Sequence, residues 1–126
     1  MHNFIQVQDA EMVFETKKGR FHALREIQLS VAQGEFVTLI GHSGCGKSTL
    51  LNLVAGIDKP TSGEIRVAGV DIVKLSEGEL ADWRAAHVGF IFQFYNLMPV
   101  LSAAGNVELP LLLTSLSRPE RRERVD

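Results

Sequence analysis

An α/β fold, with an antiparallel β subdomain ahead of a parallel core, is predicted by three observations. The first third of the chain alternates apolar and polar residues with period two, the pattern of strands with one buried and one wet face. Two later stretches, Phe36–Ile40 and Val88–Phe92, are apolar on both faces, as strands covered by helices on both sides are. Directly after the first of them comes Gly41–Thr49, GHSGCGKST, and directly after that a helical apolar pattern.

The elements follow in order. Ile5 and Val7 alternate with Gln6 and Gln8, and Ile27, Leu29 and Val31 with Gln28 and Ser30. Lys17-Lys18-Gly19 and Gln33-Gly34 are the polar turns of this antiparallel part. Beyond the glycine loop, Leu50, Leu51, Leu53, Val54 and Ala55 are apolar nearly all round and predict a buried helix, ended by Gly56 with Pro60 as a further stop. Gly63 to Ile72 (GEIRVAGVDI) returns to alternation and predicts another hairpin strand. Ser76-Glu77-Gly78-Glu79 fits a capping box and should start a helix running through Ala86. Val88–Phe92 is then the second core strand, ending at Gln93. From Tyr95 onward the chain reads as helical and irregular, with Ser117 and Glu120 offering one more capped start. That last helix has at most about two turns, which is marginal alone because nucleation is costly. Its sequence, RPERRERVD, reads as a solvated helix face, with a docking element as the alternative.

Bulk properties narrow the class. The 126 residues suit one domain, on the prior of about 100–200 residues per domain. Net charge −2 leaves no basic footprint for nucleic acid, and none is expected as a partner. The start, MHNFIQVQDAE, lacks the basic and apolar regions of a secretory signal. No apolar run approaches the roughly 18–20 residues that span a bilayer. The single cysteine, Cys45, excludes an internal disulfide and fits a reducing compartment. A cytosolic location is expected, with any membrane role supplied through a partner.

The glycine loop carries the chemistry. Gly41-x4-Gly46-Lys47-Ser48 is the P-loop spacing. Phosphate oxygens crowd negative charge into one place, so backbone N–H groups must converge on them, and glycines let the loop curl without side chains blocking that approach. A helix beginning near Lys47 adds its partial positive charge and its unbonded N–H groups. Lys47 supplies a full charge to the β- and γ-phosphates, and the Ser48 hydroxyl is a ligand for Mg²⁺. Position 49 is Thr where a dinucleotide fingerprint needs a third glycine, so that reading is rejected. Cys45 is either a small side chain within the loop or a thiol activated by the helix N-terminus.

The order GEFVTLIGHSGCGKSTLLNLVAGIDKPTSGEIRVAGVDI, followed by HVGFIFQFYNLMPVLSAAGNVELPLLL, resembles the ATP-binding subunit of ATP-binding cassette (ABC) transporters over nearly the whole chain. FQFYNLMP with NVELPLLL looks most like the group that exports lipoproteins, macrolides and peptide antibiotics. The resemblance implies a P-loop NTPase core with an N-terminal antiparallel β subdomain over about 1–94, and the start of a helical subdomain over about 95–126. It implies that Gly41, Ser43, Gly44, Cys45, Gly46, Lys47, Ser48 and Thr49 hold the triphosphate of ATP. Lys47 and Gln93 would be catalytic, and Ser48 and Gln93 would ligate Mg²⁺. Phe14 falls where the family places an aromatic ring, usually tyrosine, against adenine; a plain core aromatic is the alternative. Tyr95–Leu113 corresponds to the surface that receives a membrane permease, which would hold the protein peripherally at the inner face of the membrane. A second nucleotide-binding subunit is implied as well.

Against the family pattern, residues 1–126 contain no LSGGQ-like signature, no later apolar run ending in Asp-Glu (Walker B) and no switch histidine. The chain is therefore expected to be truncated at the start of the helical subdomain, able to bind Mg-nucleotide but not to turn it over alone. A GTPase would need an Asn-Lys-x-Asp guanine reader, and none is found. A nucleotide kinase leaves PTSGEI unexplained. A nucleotide-binding regulatory module without turnover, and an ABC ATPase acting outside transport, stay as alternatives.

Overall fold

Residues 3–94 and 96–126 are described by a computed structural model. The chain divides into two compact units, one up to Phe90 and one over Ile91–Asp126.

In the first unit, alternation does what the sequence predicts. β1 (Asn3–Thr16) and β2 (Gly19–Ala32) form a long antiparallel hairpin turned at Lys17-Lys18. β3 (Ser62–Val67) adds to the other edge of β1, and the short β4 (Val70–Asp71) follows β3, giving the order β2-β1-β3-β4. The GEIRVAGVDI hairpin is thus present. Gly63, at φ 98°, sits where a Cβ would strike the Asp9 carbonyl and the Ala10 backbone, so β3 approaches β1 closely only because this residue has no side chain.

α1 (Lys47–Val54) follows the glycine loop. Leu50 and Leu53 are buried, whereas Leu51 is half exposed, so the helix is sealed along one stripe and not all round as its composition suggested. Gly56 at φ 76° ends it, and the Ile57 amide turns back to the Asn52 carbonyl at 2.9 Å. α2 (Glu77–His87) opens with the expected capping box: Ser76 Oγ accepts from the Glu79 amide at 3.2 Å, and the Glu79 carboxylate accepts from the Ser76 amide at 3.1 Å. The hydrogen bond from the Ser76 amide, helped by the Ser76 hydroxyl, holds the Glu79 carboxyl below the usual carboxylate range. Arg84 ties α2 to α1 by donating to the Gly56 carbonyl at 2.7 Å. The core lies between sheet and helices and joins Val7, Ala10, Leu24, Leu53, Ile65, Ile72, Leu80 and Trp83.

The two stretches predicted as core strands are not strands. Neither Phe36–Ile40 nor Val88–Phe92 belongs to the sheet among the described residues. Phe36 is 93% exposed and Ile40 91%, values incompatible with a strand covered on both faces. A parallel strand is shaped by neighbours on its edges. The sheet formed by the described residues contains antiparallel ladders only, and none of them includes these segments.

The second unit is built differently. α3 (Ala103–Glu108) is capped by Ser102, whose hydroxyl accepts from the Gly105 amide at 3.0 Å, and a 3₁₀ turn over Leu109–Leu113 follows it. α4 (Arg118–Val125) carries the predicted capping box of Ser117 and Glu120. Arg121 joins α4 to α3 through Glu108 at 3.1 Å and also donates to the Leu116 carbonyl at 3.0 Å. No residue described in this unit is buried.

Candidate nucleotide site

The P-loop lies in the first unit, and its end packs against β2. A Cβ on Gly46 would come within 2.9 Å of both the Ala23 carbonyl oxygen and Leu24 Cδ2, so the loop's end is seated directly on the second strand. Gly44 and Gly46 have φ of 81° and 104°, the left-handed region that glycine enters without strain. Gly41 is required for another reason, since a Cβ there would collide with Cys45 Sγ. The glycines at these positions are thus demanded by the curl of the loop.

Lys47 does not wave in solvent. Its Nζ donates to the Gly41 carbonyl at 2.7 Å and the His42 carbonyl at 2.8 Å, with Cys45 Sγ at 3.4 Å. The ammonium is folded over the loop that encloses it. α1 begins at this residue, its N-cap is Gly46, and no side chain caps it. Its first turn also lacks any acidic residue, so the amides and partial positive charge of the helix start are not neutralised from within. Ser43, Gly44, Cys45 and Ser48 are exposed, and Thr49 is half-buried.

The Ser48 hydroxyl at the helix start is exposed, where it could serve as a donor to a divalent cation. Among the described residues no cluster of three or more His, Cys, Asp or Glu could hold a metal alone. That donor set suits Mg²⁺, which keeps several waters and is completed by phosphate oxygens. It would hold the metal with nucleotide rather than before it.

Phe14 stands near the turn end of the hairpin, 39% exposed, in register with Phe21, which is 55% exposed. Neither ring belongs to the hydrophobic core of the described residues. From Leu24, beside the P-loop, to Phe21 is three residues of strand, or about 10 Å.

Gln93 lies in a turn of the second unit and is exposed, while the P-loop belongs to the first. Of the Tyr95–Leu113 surface, Tyr95 lies outside the described residues. Leu97, Val100, Leu112 and Leu113 are exposed, with Val100 at 85% and Leu113 at 92%. Asn106, which sequence reasoning passed over, organises this stretch. Its Oδ1 accepts from the Met98 amide at 2.8 Å, and its Nδ2 faces the carbonyls of Met98, Leu101 and Ser102 at 3.2, 3.3 and 2.9 Å. An asparagine inside a helix is a weak helix former, and that was the only signal available.

Comparison with known proteins decides the family. Residues 24–126 match the family profile described as ABC transporter. The chain belongs to the ABC transporter family. It is 45% identical over 122 residues to the methionine import ATP-binding protein MetN of Corynebacterium diphtheriae, covering 97% of this chain and 36% of that protein. It is 39% identical to the lipoprotein-releasing system ATP-binding protein LolD of Geobacter metallireducens, covering 95% of this chain and 53% of that one. With the macrolide export ATP-binding/permease protein MacB of Sodalis glossinidius it shares 50% identity, over 82% of this chain and 16% of that one. The chain therefore spans about half the length of LolD and less of the others. Among solved structures, the dimeric bacterial ABC transporter cassette MJ0796 superposes with a TM-score of 0.88 at 38% identity, over 95% of this chain and 53% of that one. Its post-hydrolysis state bound to ADP and Pi gives 0.89 at 37% identity, over 96% and 53%. The fold is accordingly that of a P-loop ABC cassette with an N-terminal antiparallel β subdomain.

Proposed function

We propose that this chain is the nucleotide-gripping part of an ABC ATPase that couples ATP binding and hydrolysis to transport through a membrane permease. The observation that carries the reading is Lys47, held over the P-loop by the Gly41 and His42 carbonyls at the uncapped start of α1. In this reading Gly41–Thr49 surrounds the triphosphate, Lys47 neutralises charge on its β- and γ-phosphates, Ser48 ligates Mg²⁺, and Phe14 stacks on the base. Bound Mg²⁺ supplies charge neutralisation across the phosphates. Gln93 is assigned the water- and metal-facing role of the glutamine loop.

Hydrolysis depends on positioning a water and stabilising the transferred phosphoryl group. Residues 1–126 hold neither the acidic pair nor the signature loop for this, so by themselves they bind Mg-ATP without turning it over. The domain reading extends the same proposal: a nucleotide-binding core to about residue 94, then the beginning of a helical subdomain that meets the permease through residues 95–113. A second nucleotide-binding subunit completes the site. A peripheral place at the inner face, through the permease, belongs to the same proposal; among the described residues no helix is long and apolar enough to cross a membrane.

Export is the proposed direction, on FQFYNLMP and NVELPLLL. The relatives' own names divide, a macrolide exporter and a lipoprotein-releasing protein against a methionine importer. Transport assays in inside-out and right-side-out vesicles decide it. The primary test is titration of Mg-ATP into the intact protein and its Lys47→Ala variant. Removing a charge-assisted contact should weaken binding about 10- to 100-fold. Unchanged affinity would overturn the site assignment.

A further inference from the structure

The strand that carries Phe14 is held, one residue before it, by a contact from outside its own hairpin. On its β3 edge, β1 pairs from Ile5↔Val67 to Gln8↔Glu64, slips, and pairs once more at Glu11↔Ser62. The slip coincides with Asp9, at φ 49°, and with the close approach of Gly63. Ser62 is the first residue of β3, so the ladder gives out before it reaches Phe14. Thr61 continues it by other means. Its backbone amide donates to the Glu11 carbonyl at 2.8 Å, and its Oγ1 accepts from the Val13 amide at 2.9 Å. One side-chain hydroxyl thus stands where the next strand residue would be, next to the backbone of Phe14.

The origin of Thr61 gives this contact its meaning. It ends the connection that returns from α1, the helix that starts at the P-loop, through Gly56, Lys59 and Pro60. Lys59 anchors that connection by donating to the Leu75 carbonyl at 2.8 Å. The chain segment leaving the phosphate grip is therefore pinned, through one hydroxyl, to the strand carrying the aromatic. Thr61 is exposed and outside the hydrophobic core, so filling the interior does not explain it.

We infer that Thr61 is a positioning residue for base binding: its hydroxyl fixes the Val13 amide and so sets the backbone from which Phe14 stacks on adenine. This rests on the reading of Phe14 as the base platform. Thr61 touches no substrate and acts only through β1. The effect should therefore fall on the base and spare the triphosphate.

The test uses the intact protein with Mg-ATP and, separately, Mg-tripolyphosphate, which lacks base and ribose. Thr61→Val keeps the shape and loses the acceptor; Thr61→Ser keeps the acceptor. Loss of one hydrogen bond predicts that Thr61→Val weakens ATP about three- to tenfold. Tripolyphosphate affinity should stay within about twofold, and Thr61→Ser should restore ATP affinity. Equal weakening of both ligands, or failure of serine to restore, would show a merely structural role and overturn the inference. Phe14→Ala is read beside them. If it leaves the preference for ATP over tripolyphosphate unchanged, the platform reading falls; if it lowers that preference while Thr61→Val does not, only the role of Thr61 falls. Should Thr61→Val not fold, hydrogen exchange at the Val13 amide of the unaltered protein decides: slow exchange supports the contact and exchange at the open-chain rate overturns it.

Discussion

The two units of this chain are held together by different physics. The first has a sealed interior in which Leu53, Ile65 and Val7 are essentially inaccessible to solvent, and its helices pack on a sheet. The second has no fully buried residue among those described and is tied by polar groups: the Ser102 and Ser117 caps, the Arg121–Glu108 pair and the fourfold contacts of Asn106. Apolar burial is non-directional and grows with area, whereas hydrogen bonds fix geometry at modest net stabilisation. The first unit is thus held chiefly by its buried cluster. The second is shaped in detail by these polar groups while Val100 and Leu113 face outward, as Phe36 and Ile40 do in the first.

The largest expected effect separates the units directly. Leu53→Ala should cost about 2–5 kcal/mol in the first unit. Leu113→Ala, at a side chain 92% exposed, should change stability by less than about 0.5 kcal/mol. Denaturant melts of the two variants check this, and equal losses would erase the distinction. Next comes Gly63→Ala. It forces a Cβ into the Asp9 carbonyl at a positive φ, and strain alone predicts a loss of about 1–3 kcal/mol. The same melts, with amide exchange along β1, would locate it. In the second unit, Asn106→Ala should cost about 1 kcal/mol but free the Met98 amide to exchange with solvent. Retained protection at Met98 would show that the turn keeps its shape without Asn106.

The smallest effect is a pH dependence. The carboxyl of Glu79 is lowered by its bonds to Ser76, so its stabilising contribution is full above the ordinary carboxylate range and is lost as pH falls through the lowered value. Glu79→Gln keeps an acceptor for the capping box and removes the titration. Melting temperature plotted against pH should therefore flatten on the acid side relative to the unaltered chain; parallel curves would remove Glu79 from that dependence.

These contrasts also explain what the sequence could reveal. Both capping boxes were legible because Ser76 with Glu79, and Ser117 with Glu120, satisfy one another within a single turn. Alternation located the hairpin for the same local reason. The P-loop was legible because its curl depends on glycines at fixed spacing. Phe36–Ile40 misled, since apolar character on both faces reports a readiness to be covered, and strand formation needs edge partners that lie elsewhere in a chain. Thr61 and Asn106 were hidden for a related reason. A lone hydroxyl or amide acquires its role only when folding brings particular backbone groups to it, and nothing in PTSGEI or NVELPLLL names Val13 or Met98 as the group it meets.

The seating of Lys47 bears on selectivity. Because the Gly41 and His42 carbonyls already solvate the ammonium, an arriving anion has no mobile cation to recruit and must compete with two oxygens already in place. A lone carboxylate replaces little of what it disturbs. On the proposed reading, a polyphosphate would bring several oxygens at once and engage the loop amides as well, so a lysine seated in this way would favour it over a simple anion.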